Sequence, residues 1–367
     1  MEDRLYPALI LDTLSKVRYP GNGKNIVELG MVEDDIRIDG NKVSFTLKFD
    51  KPTDPFMKSV VKAAETTLKT FISPDLQVSI ATATAEPVKK SAPVLPRVKN
   101  IVGISSGKGG VGKSTVSVNL AVALAAKGYK VGLLDADIFG PSIPKMFGVE
   151  DEPVYMHEVD GHPLIIPLEK YGVKILSIGF LVDKDNALVW RGGMASNALK
   201  QLITEADWGE LDYFLIDMPP GTSDIHLTLV QTVPITGVVI VSTPQQVALA
   251  DARKGVSMFT GEKIGVPVLG IVENMAWFTP EKHPDERYYI FGKGGATRLA
   301  EELGVKLLGE IPIVGSICEG GDEGKPVALN DGTVIGHAFS LLADNIVQAV
   351  DKRNVDLPPT GVVNISH

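Results

Sequence analysis

The chain contains 367 residues, of which 44% are hydrophobic and 22% charged, a composition typical of globular proteins and long enough for two domains. Its formal net charge of −9 argues against broad binding to nucleic acids or anionic membranes, because both are negatively charged. A single cysteine excludes an intramolecular disulfide framework. The N-terminus has no basic segment followed by an apolar core, and no uncharged apolar run reaches about 18 residues. We therefore expect a cytoplasmic protein without a signal peptide or a transmembrane helix.

The first 85 residues predict a small α+β domain. Residues 43–49 alternate between apolar and polar side chains, as a half-exposed strand does. We also predict helices over 7–17 and 54–72 and a closing strand over 76–81. Residues 86–98 contain three prolines and little periodicity, which indicates an extended linker.

Residues 99–352 predict a second domain, in which apolar strands alternate with helical patterns. Several of the strands are continuous apolar runs, which are typical of strands covered on both faces. The fold class that follows is α/β, with a doubly wound and mainly parallel sheet. A last helix over 334–350 precedes a polar tail, 353–367, which we expect to be flexible. The predicted strands are 101–105, 131–135, 173–178, 213–217, 237–242, 266–272 and 307–311.

Residues 107–115 read Gly-Lys-Gly-Gly-Val-Gly-Lys-Ser-Thr and match the phosphate-binding loop pattern G-x-x-x-x-G-K-[ST]. An apolar run precedes this loop and a helical run follows it. The glycines let backbone N–H groups turn inward around a polyphosphate, and the helix N-terminus adds its positive end. We expect a nucleotide polyphosphate to bind here, with Lys113 at the β- and γ-phosphates and Ser114 on Mg²⁺; an ordinary glycine-rich turn is the alternative. The predicted ATP-binding residues of the loop are Gly107, Lys108, Gly109, Gly110, Val111, Gly112, Lys113, Ser114 and Thr115.

Acidic residues follow two of the predicted strands. Asp217 ends an apolar strand, where a carboxylate can hold Mg²⁺ directly or through water, and Gly221 can bring a backbone N–H close to the γ-phosphate. A helix N-cap is the alternative role for Asp217. Asp135 and Asp137 are one residue apart on an extended segment, so their side chains point in opposite directions and at most one faces the phosphates. A pair of turn or cap residues is the alternative there.

One amide side chain is a candidate contact for the adenine base. Asn274 follows the strand 266–272, and its side chain can both donate to and accept from the Watson–Crick edge of adenine. An asparagine after a strand is also a common turn residue, and this alternative stays open.

The loop carries a second lysine, Lys108, which simple nucleotide binding does not require. The whole pattern resembles the deviant Walker A loop of the MinD/ParA/nitrogenase-iron-protein class of ATPases. This resemblance implies a homodimer in which Lys108 reaches the partner's nucleotide and stabilises transition-state charge, as an arginine finger does elsewhere. It also implies that Asp137 orients the attacking water and that Asn274 contacts the base. A solvated loop lysine is the alternative for Lys108.

Five segments narrow the resemblance to the Mrp/ApbC family, whose members are iron–sulfur cluster carrier ATPases. They are 135–142, 190–194, 217–222, 242–246 and 273–275, within a match that covers about 98–350. The resemblance implies hydrolysis of ATP to ADP and phosphate with Mg²⁺, and transfer of clusters to apoproteins together with assembly factors. Neither nucleic acid nor a membrane is an expected partner. The first 85 residues look like the small α+β domain that is often fused to these proteins and that also occurs alone in iron–sulfur assembly factors.

Cysteines are where the chain departs from the family. A Cys-x-x-Cys usually follows the Asn-Met segment, but 276–289 contain no cysteine, and the Cys-Pro of the small domain reads Asp54-Pro55. The only thiol is Cys318, so a dimer offers two thiolates where a [4Fe-4S] cluster typically uses four. Cys318 is therefore either a cluster ligand or an inert residue. Four other side chains of 276–289 are either further ligands or simply solvated: Glu281, His283, Asp285 and Glu286.

Two other functions remain open at this stage. The chain could be a dimeric MinD/ParA-like ATPase that acts as a nucleotide switch in positioning or assembly and holds no cluster. Its tail has two prolines and no basic face, which disfavours membrane targeting. The small domain could instead be an adaptor that recruits partners, with the second domain as a slow dimer switch.

Overall fold

The computed structural model describes residues 5–21, 23–33, 35–49, 54–84, 94–159, 161–181, 192–280, 283 and 286–363. The chain divides into two compact units, Met1–Ala92 and Pro93–His367. Most of the predicted linker lies outside the described residues, as do the candidate ligands Glu281 and Asp285 and the start of the segment 190–194.

The first unit is a three-stranded sheet with two helices. Its central strand β2 buries every second residue, including Val43, Phe45 and Leu47, which confirms the alternation predicted from the sequence. Strand β1 is antiparallel to β2, and β3 is parallel to it. The elements are α1 (Pro7–Leu14), β1 (Arg37–Asp39), β2 (Lys42–Phe49), α2 (Met57–Phe71) and β3 (Gln77–Thr84).

The second unit is built on an eight-stranded sheet in the order β13-β12-β11-β4-β10-β5-β9-β8. All neighbouring pairs are parallel except β8 and β9. The strands are β4 (Val98–Ser106), β5 (Val131–Asp135), β6 (Met156–Val159), β7 (His162–Ile165), β8 (Leu168–Lys170), β9 (Val173–Ser177), β10 (Leu211–Pro220), β11 (Gly237–Ser242), β12 (Val268–Phe278) and β13 (Leu307–Ile313). The helices are α3 (Lys113–Ala126), α4 (Ile143–Phe147), α5 (Gly192–Thr204), α6 (Asp224–Thr232), α7 (Gln246–Thr260), α8 (Gly295–Leu303), α9 (Gly315–Asp322) and α10 (Val334–Asp356).

Both faces of this sheet are covered, which confirms the doubly wound α/β fold. One apolar core contains the buried side of α3 and α10, and a second core on the other face contains the buried sides of α5, α6, α7 and α8. Because the central strands are buried on both faces, their sequences are nearly continuous apolar runs. The antiparallel pair β6–β7 and the short strand β8 were not predicted, since their residues are few and partly exposed.

The C-terminal region differs from the expected flexible tail. Helix α10 ends at Asp356, beyond the predicted boundary at residue 353. The buried Arg353 donates from Nη2 to the Pro358 carbonyl oxygen at 2.8 Å and to Thr360 Oγ1 at 2.6 Å. Farther on, Val363 N–H donates to the Val230 carbonyl oxygen at 3.0 Å. The residues after α10 are therefore held to the domain as far as Val363. In the part of the chain that the structure describes, no helix has the length and apolarity needed to cross a membrane.

Candidate functional site

The glycine-rich loop joins β4 to α3 at the centre of the sheet. Strand β4 pairs with β10 and β11, and α3 begins at Lys113. Gly110 and Gly112 have φ angles of +79° and +81°, a region that favours glycine. A Cβ atom on Gly107 would lie 2.1 Å from the Asp251 backbone, so this position has no room for a side chain. The backbone of the loop therefore depends on its glycines both for conformation and for packing.

Lys113 and Asp217 form a buried ion pair at the start of α3. Their Nζ and Oδ2 atoms are 2.8 Å apart, and the side chains are 6% and 0% exposed. Ser114 Oγ donates to Asp217 Oδ2 at 2.6 Å, and Ser117 Oγ donates to Oδ1 at 2.7 Å. Burial lowers the pKa of Lys113, but the negative charges of Asp217 and Asp137 outweigh it and raise this pKa above its usual value. The site thus holds a permanently charged lysine, a hydroxyl and a carboxylate together.

The two acids after β5 take different positions. Asp135 is fully buried and accepts from Ser177 Oγ at 2.9 Å and from the backbone N–H of Asp137 and Ile143 at 3.2 and 3.3 Å. Asp137 turns toward the loop, where its Oδ2 lies 3.4 Å from Lys113 Nζ. Burial raises the pKa of both carboxyl groups. Asp135 therefore braces the segment, and Asp137 is the acid that faces the phosphate-binding loop.

Lys108 lies at the mouth of the same site. It lines a cavity of about 230 Å³ together with Lys113, Ser114 and Asp137. Its side chain is half-exposed, and no ion pair of its ammonium group is found among the described residues. Lys108 thus brings a second lysine to the phosphate-side cavity.

A second, mainly apolar cavity of about 550 Å³ adjoins the loop. It shares Gly112, Thr115, Ser142 and Met146 with the phosphate-side cavity, so the two cavities adjoin each other. Asn274 stands at the junction, where its Nδ2 donates to the Val111 carbonyl oxygen at 2.8 Å. The amide nitrogen of Asn274 is thus engaged with the loop backbone. Met146, Phe291 and Val314 also line this cavity, and no local sequence signal marks them because they come from distant segments.

Cys318 lines the apolar cavity from α9. Its side chain is exposed, and its Sγ lies 3.7 Å from Asp322 Oδ2. Within the described ranges, no group of three or more His, Cys, Asp or Glu side chains is arranged to hold a metal ion. The structure thus places the single thiol beside the predicted nucleotide site.

Aromatic residues pair at the two ends of the segment that replaces the expected Cys-x-x-Cys. Strand β12 continues to Phe278, which exchanges two backbone hydrogen bonds with Tyr288 at 2.9 and 2.8 Å. The Arg287 guanidinium lies 4.4 Å from the centre of the Trp277 ring. His283 Nδ1 is 3.2 Å from Glu286 Oε1, an exposed pair. These contacts join the described residues at the two ends of the segment, whose sequence contains no cysteine.

Asp54, which stands in place of the small domain's usual cysteine, is engaged locally. It accepts a hydrogen bond from Tyr19 OH at 2.6 Å and another from Phe56 N–H at 2.7 Å. One carboxylate oxygen of Asp54 thus contacts the backbone just before α2, and the other contacts Tyr19.

A glycine-rich loop between a central parallel strand and a helix, with a buried Lys–Asp pair at its mouth, defines a P-loop nucleoside triphosphatase domain. Residues 97–347 match the family model described as NUBPL iron-transfer P-loop NTPase. Residues 7–80 match the model described as iron-sulfur cluster assembly protein. The chain belongs to this family of iron-transfer P-loop NTPases, which confirms the resemblance to the Mrp/ApbC proteins.

The names of two relatives agree with this family. An iron-sulfur cluster carrier protein of Synechocystis is 46% identical over 325 residues, which cover 88% of this chain and 91% of the relative. The Arabidopsis thaliana protein named iron-sulfur protein required for NADH dehydrogenase, mitochondrial, is 48% identical over 274 residues, or 74% of this chain and 85% of that one. The similarity to the Synechocystis protein thus extends well beyond the phosphate-binding loop.

Solved structures support the fold. A nucleotide-binding protein from Archaeoglobus fulgidus in complex with ADP is 39% identical, with a TM-score of 0.57, over 67% of this chain and 93% of that chain. The septum site-determining protein MinD from Pyrococcus horikoshii, complexed with Mg-ADP, is 24% identical, with a TM-score of 0.50, over 70% of this chain and 98% of that chain. The second similarity concerns the fold alone.

Proposed function

We propose that this protein hydrolyses ATP with Mg²⁺ and uses the reaction to carry iron–sulfur clusters to apoproteins. The observation that carries the proposal is the Lys113–Asp217–Ser114 cluster at the glycine-rich loop, in a chain that belongs to an iron-transfer NTPase family. The carrier role is taken from the names of the relatives, and the ATPase role rests on the site.

ATP would lie across the two adjoining cavities. The loop N–H groups and Lys113 would bind the phosphates, and the base would enter the apolar cavity beside Asn274. A hydroxyl and a carboxylate are hard oxygen donors of the kind that Mg²⁺ prefers, so Ser114 and Asp217 fit that ion. The bound ion would neutralise charge on the β- and γ-phosphates.

Hydrolysis needs a positioned water and compensation of the charge that develops on the γ-phosphoryl group. Asp137 is the acid on the loop side of the site and is the residue we assign to orienting water. Lys108 has no charge partner among the described residues, and we assign it to the nucleotide of a second copy in a homodimer. Closure of the dimer around ATP would thus complete each site.

The cluster is the cargo, and its ligands are the unusual part of the proposal. Each copy provides one thiol, Cys318, so a homodimer provides two where a [4Fe-4S] cluster typically uses four. Because Cys318 lines the cavity proposed for the base, nucleotide and cluster would influence each other's binding.

Two measurements test these parts separately. Steady-state phosphate release from ATP, with Lys113→Ala as the inactive control, tests the ATPase. Anaerobic reconstitution with iron and sulfide, followed by metal analysis of the parent and of Cys318→Ala, tests the cargo. A cluster that binds the parent, is lost in the variant and passes to an apoprotein supports the carrier role. Hydrolysis without any bound or transferred cluster would reject it and leave a dimeric MinD/ParA-like switch ATPase.

A further inference from the structure

The three-stranded sheet of the first unit has two different edges. Strand β1 forms one edge with three residues, of which Arg37 and Asp39 are charged. Strand β3 forms the other edge with eight residues, 77–84, which include neither a charge nor a proline. Its register with β2 continues over all eight residues without a bulge. Natural sheets protect their edges with short strands, charges, prolines or bulges, and β3 uses none of these devices.

The backbone groups of β3 alternate between its two sides. The Gln77 N–H donates at 2.9 Å to the carbonyl oxygen of Asn41, which precedes the residue opposite Gln77 on β2. In a parallel pair, this pattern directs both backbone groups of each odd-numbered residue of β3 toward β2. Val78, Ile80 and Thr82 therefore direct their N–H and C=O groups away from β2. Among the described residues of the first unit, no further strand lies on that side.

These outward groups are complementary to the same groups of a second copy of β3. In an antiparallel pair centred on Ile80, this residue lies opposite Ile80 of the second copy, and Val78 lies opposite Thr82. Each of the three then exchanges both backbone hydrogen bonds with the residue opposite it. Their β-branched side chains share the face of the sheet that packs on the core, and such side chains are favourable cross-strand neighbours. On the other face, Ser79 lies opposite Ala81, so no like charges meet.

We propose that β3 is a pairing surface for β3 of a second copy of this chain. The two three-stranded sheets then form one sheet in the order β1-β2-β3-β3-β2-β1, with the helices of both small units on the same face. One pair of strands covers less surface than the roughly 1,200–2,000 Å² of a stable interface, so the contact is reversible. It goes beyond the proposed function, in which two copies meet at the nucleotide of the second unit, and it requires no nucleotide.

Disulfide trapping in the full chain tests this contact. Cys318→Ser removes the only thiol, and Ser79→Cys and Ala81→Cys are prepared separately in that background. In the proposed register, residue 79 of one copy and residue 81 of the other form a non-hydrogen-bonded pair with Cα atoms about 4.5 Å apart, which suits a disulfide. Two copies of residue 79 lie on a diagonal, about 7–8 Å apart, beyond the usual range. Thr66→Cys, at an exposed position of α2, measures random collision.

We expect a mixture of Ser79→Cys and Ala81→Cys to form cross-linked dimers at least about tenfold faster than Thr66→Cys, because pairing raises the effective concentration of the two thiols. The mixture should also react faster than either variant alone. Two changes at an exposed position of the edge, added to both cysteine variants, should reduce the rate to that of Thr66→Cys. Thr82→Pro removes an outward N–H and keeps the bonds to β2, and Thr82→Lys keeps the N–H and adds a charge beside Val78 of the second copy. Circular dichroism identifies any variant that does not fold.

Three results would overturn the pairing: a mixture that reacts no faster than Thr66→Cys, a mixture that reacts no faster than its components, or a rate that neither folded Thr82 variant lowers. The trapping is carried out without nucleotide, so it is independent of ATP hydrolysis. Lys113→Ala, added to the same cysteine variants, should leave the rate unchanged. A rate that falls in Lys113→Ala would assign the contact to dimer closure at the nucleotide site and would also reject an independent role for β3.

Discussion

Removal of the Lys113 side chain tests whether the buried cluster has the energetics that its geometry implies. In the nucleotide-free protein, Lys113→Ala leaves the fully buried Asp217 without the cation that lies 2.8 Å from it. Breaking a buried ion pair by removing one partner costs about 3–5 kcal/mol, because an uncompensated charge remains in a medium of low polarity. The hydroxyls of Ser114 and Ser117 still donate to Asp217, so we expect the lower end, about 3 kcal/mol, in the free energy of unfolding.

The other lysine of the loop provides a matched control. Lys108 is half-exposed, and its ammonium group has no ion pair in the described ranges. Lys108→Ala should therefore change the free energy of unfolding by no more than about 0.5 kcal/mol. The two variants remove the same side chain from the same loop, so the difference between them measures the burial and pairing of Lys113.

The cost of Lys113→Ala should also depend on pH. The pKa values of Asp135 and Asp137 are raised by burial, and the charge of Lys113 opposes this rise, so both increase further in the variant. A carboxyl group whose pKa is higher in the folded than in the unfolded protein stabilises the fold while it is protonated. This stability is lost as the pH rises from the unfolded value, 3.8, through the raised folded value. In urea denaturation, the free energy of unfolding that Lys113→Ala loses relative to the parent should thus be smaller at about pH 5.5 than at pH 8. A Lys113→Ala deficit below about 1 kcal/mol at both pH values, equal to that of Lys108→Ala, would refute the buried-pair reasoning.

Four further predictions concern the nucleotide site. Asp217→Asn should remove most of the Mg²⁺-dependent gain in ATP affinity, by about tenfold or more in calorimetric titrations, and a gain equal to that of the parent would exclude Asp217 from the metal site. Lys108→Ala should slow ATP hydrolysis by roughly 10²- to 10³-fold with little change in ATP affinity, and unchanged turnover would exclude a role in the transition state. Burial lowers the pKa of His226 from 6.5 to about 4. The free energy of unfolding of the parent should therefore decrease by up to roughly 3 kcal/mol as the pH is lowered from about 6.5 to about 4, and His226→Asn should not show this decrease. Mg-ATP should slow alkylation of Cys318 at least about tenfold at near-saturating nucleotide, and unprotected labelling would remove the base from the cavity that Cys318 lines.

Much of the fold could be predicted because the central strands are covered on both faces. Burial on both sides requires continuous apolar runs, and those of β5 and β11 stand out from the amphipathic helices between them. The order of the strands and the short edge strand β8 depend on contacts between distant segments, which periodicity does not report. Periodicity also does not report the contacts made by the residues after α10. Their composition is typical of a loose tail, but Arg353 donates hydrogen bonds to Pro358 and Thr360.

The phosphate-binding loop is one continuous segment of the sequence, whereas the apolar cavity proposed for the base is lined by segments that are far apart in the chain. The loop and the acids at the ends of β5 and β10 were predictable, since parallel strands bring their carboxyl ends to one edge of the sheet and so place Asp137 and Asp217 beside Lys113. The apolar cavity combines α4, the end of β12 and α9, and only the folded chain shows that Cys318 belongs to it. Phosphate binding is common to P-loop proteins, whereas the contact of Asn274 with Val111 and the place of Cys318 in the apolar cavity join segments that are distant in the chain. Variants at Asn274 and Cys318 should therefore test the base half of the site separately from the phosphate-binding loop.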